Sequence, residues 1–142
     1  FVAGFIGSPP MNFLNVNISQ EGKKTIMDEP NFKMQLTGNA AEVAKDYVGK
    51  QMTFGVRPED LRYDPDAKEG TYIPASVEVI EPLGAETHLY LNTGEHQFIA
   101  RVNPNIDVSV GDQVKVTPVM EKVILFDQET EQALAREGAP TS

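Results

Sequence analysis

The chain has 142 residues, 40% apolar and 23% charged, a composition ordinary for one globular domain or two very small lobes sharing a core. Its net charge of −9 is uneven: residues 1–70 carry 8 basic and 10 acidic side chains, residues 71–142 only 4 and 11. A nucleic-acid surface needs clustered Lys and Arg that release counterions, so no nucleic-acid partner is expected. The absence of cysteine excludes disulfides and thiolate zinc sites.

The first residues, Phe1-Val-Ala-Gly-Phe-Ile-Gly, are apolar and show neither the basic region nor the cleavage site of a signal peptide. They read as sequence cut from something longer, with Phe1–Ile6 as the last turns of a helix stopped by Gly7 and Pro9-Pro10. No apolar run approaches the roughly 20 residues needed to span a bilayer. Met11–Ile18 is expected to be a strand with Phe13 inward, and with Val16 and Ile18 inward after a one-residue slip. Gln20–Lys23 is a polar turn, Lys24–Met27 a short return strand and Asp28–Asn31 a second turn. Phe32, Met34 and Leu36 alternate with Lys33 and Gln35, a strand with one wet face that Gly38-Asn39 ends.

Ala40–Tyr47 fits about two helical turns or an irregular loop. Met52, Phe54 and Val56 mark the next strand. It should end at Arg57, because Pro58 biases its predecessor away from the helical region and suits the first position of a short acidic turn with Glu59 and Asp60. Tyr63–Gly70 is a polar loop. Val77–Leu91 reads as two strands around a Leu83-Gly84-Ala85 corner, with Val77 and Val79 on one face and Glu78 and Ile80 on the other. Pro82 lacks an N–H and is expected to interrupt the ladder, and Gly84 permits the bend. Phe98, Ala100 and Val102 continue the sheet after a turn at Asn92–Glu95. Val114–Val119 and Val123–Phe126 supply the last strands, and the polar tail from Asp127 has a helical turn or two at Thr130–Arg136. Nine or ten short strands with frequent turns and almost no helix argue for an all-β sandwich or barrel.

Few residues suggest chemistry. Gly49-Lys50-Gln51 lacks the remaining glycine and the Ser or Thr of a phosphate-binding loop. His88 and His96, with Glu86 and Glu95, have ligand-type side chains, but a half-exposed His88 and a turn-bound His96 are the simpler expectation. Glu78 with Glu81, or Glu59 with Asp60, is better explained by a solvated face than by acid–base catalysis. Arg57 is read as a structural bridge to a carboxylate or carbonyl. Phe13, Phe32, Phe54, Phe98 and Phe126 alternate with polar residues and read as core, without the basic groove that base stacking requires.

Three stretches, with a closing fourth, together resemble one family. Phe1–Phe13 resembles the junction after the nucleotide-binding domain in ATPase subunits of bacterial carbohydrate ABC importers of the MalK/UgpC-like type. Gly55-Val-Arg-Pro-Glu-Asp-Leu61 resembles the Gly-Ile/Val-Arg-Pro-Glu motif of their C-terminal regulatory domain, and Val79-Ile-Glu-Pro-Leu-Gly-Ala-Glu-Thr87 its Val-x-Glu-x-Leu-Gly-x-Glu-Thr segment. Val123-Ile-Leu-Phe-Asp127 is similar to its final strand, with Val123-Ile124 where a His is common.

The resemblance implies small OB-like (MOP/TOBE-type) barrels sharing a core, divided as a junction over 1–12, a regulatory domain over 13–128 and a polar tail over 129–142. It implies a non-catalytic regulatory and dimerisation role, with ATP and Mg bound only by a nucleotide-binding domain that this sequence lacks. The implied partners are a second copy, membrane permease subunits and, in some members, a regulatory protein. The implied location is the cytoplasm, peripheral on the inner face of the membrane. Positions matching regulatory and dimer-contact surfaces are Gly49, Gly55, Glu81, Gly84, Glu86 and Phe126; for the glycines, ordinary turn or bulge geometry is the competing reading. The alternative function is a barrel that senses a small ligand or an anion; a stand-alone enzyme ranks third.

Overall fold

Residues 10–128 are described by a computed structural model. Ten strands run in order: β1 (Asn12–Glu21), β2 (Lys24–Glu29), β3 (Phe32–Leu36), β4 (Gln51–Val56), β5 (Leu61–Tyr63), β6 (Ile73–Pro82), β7 (Thr87–Asn92), β8 (Gln97–Val102), β9 (Gln113–Pro118) and β10 (Ile124–Asp127). One short helix, α1 (Gly38–Ala44), follows β3, and three single 3-10 turns lie at Lys45–Tyr47, Pro58–Asp60 and Met120–Lys122. The helices and tails expected at Phe1–Ile6 and Thr130–Arg136 lie outside the described residues.

The strands form two five-stranded antiparallel sheets, ordered β10-β4-β1-β2-β3 and β5-β9-β6-β7-β8. The chain crosses from the first sheet to the second after β4 and returns only for β10, so the lobes share covalent connections at both ends. In the second sheet β5 and the Pro58–Asp60 turn lie against β8, bringing the edges together into a nearly closed barrel. In the first, α1 lies between β10 and β2 and buries Ala40 and Ala44 against the sheet. The fold is therefore all-β with two small barrels sharing one core, as expected.

The core follows the period of two. Leu14, Val16 and Ile18 of β1, Met34 and Leu36 of β3, and Met52, Phe54 and Val56 of β4 are buried in the first lobe. Ile73, Ala75, Val77, Leu89, Leu91, Ala100, Val114 and Val116 fill the second. Burying such side chains contributes roughly 1.5–3 kcal/mol each, which offsets the backbone ordering that short strands require.

Several expectations are corrected. No slip occurs in β1: its buried set is Asn12, Leu14, Val16 and Ile18, which sends Phe13 to the opposite face, 53% exposed. Gly38 begins α1 instead of merely ending β3. The second turn is shorter than expected, since β2 runs on to Glu29, whose side chain is fully buried. Val77 and Val79 do not share a face. A bulge between them resets the register from Val77↔Leu91 to Val79↔Tyr90, leaving Val77 buried and Val79 half exposed.

The ladder also continues through Pro82, which pairs with Thr87. The Leu83 N–H donates to the Glu86 carbonyl across the hairpin at 2.9 Å, so the nitrogen of Pro82 points the other way, beyond the end of the β6–β9 ladder at Ser76. Its missing N–H leaves no rung unmade. Gly84, at φ +85°, makes the hairpin turn itself. Arg57 is exposed and forms no ion pair among the described residues; only its backbone carbonyl is engaged, by the Asp60 N–H.

Candidate functional site

The positions singled out from sequence fall in three places. Gly55 and Phe126 come together on the outer face of the first sheet. Glu81, Gly84 and Glu86 gather at the hairpin end of β6–β7. Gly49, at φ +87°, sits in the turn before β4, at the opposite end of that strand from Gly55, where its N–H donates to the Ile18 carbonyl at 2.8 Å.

The outer-face site is built by strand register. In β1–β4 Phe13 lies opposite Gly55, and in β4–β10 Gly55 lies opposite Ile124 while Phe126 lies opposite Thr53. A side chain on the central strand would fill the space between the flanking aromatics: a Cβ on Gly55 would stand 2.8 Å from Met11 Sδ and 3.0 Å from Phe126 Cε1. Because Gly55 offers none, the Phe13 and Phe126 rings meet over it edge-to-face, centroids 5.7 Å apart at 72°. Covering a strand glycine with neighbouring rings is a recognised way to restore packing at that point.

Beside the rings lies a polar trio. Gln128 Nε2 donates to Asn15 Oδ1 at 2.9 Å and to Thr53 Oγ1 at 3.2 Å, and Thr53 Oγ1 donates to Asn15 Oδ1 at 3.2 Å. Rings and amides together line an open hollow of about 570 Å³. Phe13 and Phe126 are thus not both core, as first read: Phe126 is half-buried and Phe13 stands out from the sheet. The signal for Phe13 was present in the sequence, since it is out of phase with Leu14, Val16 and Ile18.

The second cluster crosses three strands. His88 of β7 faces Glu81 of β6 on one side and Arg101 of β8 on the other. Flanked on both sides, it is 3% exposed although it points away from the barrel interior, which corrects the half-exposed expectation. Its Nε2 is 2.9 Å from Glu86 Oε2, its Nδ1 3.8 Å from Glu81 Oε1, and Arg101 Nε is 3.6 Å from Glu86 Oε1. The Tyr90 hydroxyl donates to Glu81 Oε1 at 2.9 Å, and this bond, with some burial and the carboxylate's charge, raises the Tyr90 pKa above its ordinary value. Arg101 and Tyr90 were missed from sequence because their partners come from other strands.

The two histidines do not share a site. His96 lies with Glu29, not with Glu95, its ring Nδ1 2.9 Å from Glu29 Oε2. Among the described residues no group of three or more His, Asp or Glu is placed to hold a metal ion. No helix among them is long and apolar enough to cross a membrane.

The MalK OB fold domain family matches residues 7–61, and the TOBE domain family matches residues 54–126. The trehalose/maltose import ATP-binding protein MalK of Thermococcus litoralis is 37% identical over 141 residues, covering 94% of this chain and 37% of that protein. The oligosaccharides import ATP-binding protein MsmX of Bacillus subtilis is 35% identical over 137 residues, covering 92% of this chain and 36% of that protein. The chain therefore spans little more than a third of the length of these curated relatives. Among solved structures, the cytoplasmic molybdate-binding protein ModG aligns with a TM-score of 0.55 at 14% identity, over 84% of this chain and 96% of that one, a likeness of fold.

Proposed function

The chain belongs to the TOBE domain family, with a MalK-type OB fold over its N-terminal part, and from that premise we propose that it holds two ATP-binding subunits of a carbohydrate importer together. In this reading it is the C-terminal regulatory domain of such a subunit and is itself non-catalytic. ATP and Mg belong to a nucleotide-binding domain elsewhere in the whole protein. That whole protein works on the cytoplasmic side of the membrane with permease subunits, and a regulatory protein is a further partner.

The observation that carries the dimerisation role is the aromatic pair. Phe13 is a large ring, 53% exposed, braced edge-on by Phe126 over a glycine on a sheet face whose opposite side is fully packed. A rigid aromatic ridge beside amide and hydroxyl groups suits the apolar centre and polar rim of a protein contact, and a two-fold axis would set the same patch against itself. A hot-spot aromatic concentrates binding energy at little entropic cost, because its rotamer is already held.

Sedimentation velocity of the whole subunit, with and without Phe13→Ser, tests this. The expected result is a dimer whose dissociation constant rises about tenfold or more in the variant. A strictly monomeric subunit, or a dimer indifferent to Phe13, would remove the claim. Calorimetric titration with sugars, sugar phosphates and oxyanions addresses the sensing alternative, which measurable heat would favour.

A further inference from the structure

The seam between the lobes contains a histidine whose two ring nitrogens are both engaged. Strand β1 pairs with β2 in a register that ends at Asn17↔Asp28. Continued by two residues, the ladder would set Asn15 opposite Pro30, where the chain turns away toward β3. The Asn15 N–H, aimed at the space that β2 has left, donates instead to His96 Nε2 at 3.1 Å. His96 belongs to the turn between β7 and β8, so an imidazole from the second lobe occupies a rung of the first lobe's sheet.

The other nitrogen is held as firmly. Nδ1 lies 2.9 Å from Glu29 Oε2, and Glu29 is the last residue of β2, its side chain fully buried. The same carboxylate accepts from Thr93 Oγ1 at 2.5 Å and from the Asn31 N–H at 2.8 Å. Because Nε2 accepts from Asn15, it carries no proton, so Nδ1 must carry it and donate to Glu29. Only the neutral Nδ1–H tautomer satisfies both bonds.

We propose that His96 is a pH-sensitive bolt between the two lobes, closed only while the ring is neutral. Protonation puts a hydrogen on Nε2, which then faces the Asn15 N–H donor to donor. The ring keeps its Glu29 arm, now between opposite charges, and releases its β1 arm. The groups bonded to the ring are Glu29 from β2 and Asn15 from β1, with Thr93 of its own turn bonded to the same carboxylate. Glu29 carries the one ionisable side chain among them, and Glu95, next to His96 in the turn, is exposed. Protonation therefore acts in one direction, loosening the β1 side of the seam. The reciprocal pair between Asn12 and Ile99, at 2.8 and 2.9 Å, is left as the nearby tie between β1 and β8.

The test is amide hydrogen exchange of Asn15, read with the nitrogen shifts of His96, between pH 8 and pH 5 on the 142-residue chain. At pH 8 the shifts should report the Nδ1–H tautomer. As the ring titrates, Asn15 protection, corrected for intrinsic exchange, should fall about fivefold or more, the scale of one lost hydrogen bond. His96→Gln should abolish the pH response of Asn15. If that variant does not fold, the tautomer and titration of the native chain decide alone. An Nε2–H tautomer at pH 8, a ring that stays neutral across the range, or Asn15 protection that is constant through its titration would each overturn the proposal.

Discussion

Phe13 and Phe126, 113 positions apart in the chain, meet edge-to-face with their ring centroids 5.7 Å apart across a strand that contributes only a glycine between them. The pair sits outside the core, so its contribution to the fold is separable from its contribution to association. A double-mutant cycle on Phe13→Ser and Phe126→Ala, followed by urea unfolding, should give a coupling of about 0.5–1.5 kcal/mol. Phe13→Ser alone should lower fold stability by little more than that coupling, about 0.5–2 kcal/mol.

Gly55 and Gly84 fail for different reasons when replaced. At Gly55 the obstacle is space: a Cβ meets Met11, Phe126 and, at 3.3 Å, the Ile124 carbonyl. Gly55→Ala should cost about 1–3 kcal/mol, because the rigid Phe126 ring and the β10 backbone must move. At Gly84 a Cβ meets nothing, but φ is +85°. Gly84→Val should cost about 1–3 kcal/mol from backbone strain alone, and Gly84→Asn, which tolerates that region, should recover most of it. Thermal and urea unfolding of the three variants check this ordering.

Glu29 is a buried carboxylate with three donors aimed at it. Glu29→Ala leaves the Asn31 N–H and the His96 ring without an acceptor, each costing about 1–3 kcal/mol if unsatisfied, and leaves the Thr93 hydroxyl only the long bond to the His96 carbonyl at 3.5 Å. A loss of about 3 kcal/mol or more in urea unfolding is expected. A loss below about 1 kcal/mol would show that the seam does not depend on this network.

Tyr90 gives a pH effect of known sign. Its folded pKa is raised above the ordinary 10.0, first by the hydrogen bond to Glu81. A raised pKa means the folded state holds the proton more tightly than the unfolded chain. The resulting stability is fully present below about pH 10 and is lost as pH rises through the folded value. Glu81→Gln should return the Tyr90 ring carbon shift titration toward the ordinary range, measured by carbon-13 NMR. Because the Tyr90–Glu81 hydrogen bond is exposed, the effect on unfolding should be small.

The legible parts of this chain were those set by local periodicity. Phe32-Met34-Leu36, Met52-Phe54-Val56 and Phe98-Ala100-Val102 declare strands because a pleated backbone alternates its side chains whatever it pairs with. Pro58 likewise declares the end of β4 through its own ring. The motifs at Gly55–Leu61 and Val79–Thr87 gave the family in the same direct way. Where the reading went wrong, the deciding interaction lay far away. The bulge at Val77–Val79 has no glycine or proline to announce it. The Val77 backbone is held by the 111–112 turn, accepting from Gly111 N–H at 2.8 Å and donating to the Asp112 carbonyl at 2.9 Å.

Pro82, the conspicuous residue, proved harmless because its nitrogen faces a side where no strand pairs. Phe13 looked like core because a phenylalanine in a strand usually is; only the phase of Leu14, Val16 and Ile18 and the gap over Gly55 show that it belongs outside. The sequence alone determined where most strands lie, the inward residues of the regularly alternating ones and the family they belong to, since these depend on neighbours two or three positions apart. Only the tertiary structure decided that Phe13 meets Phe126, that His88 is buried among Glu81, Glu86 and Arg101, and that His96 fills a rung of β1. Those pairings depend on where each strand ends and which strand lies beside it, and that is settled by the closing of the two barrels, not by local sequence.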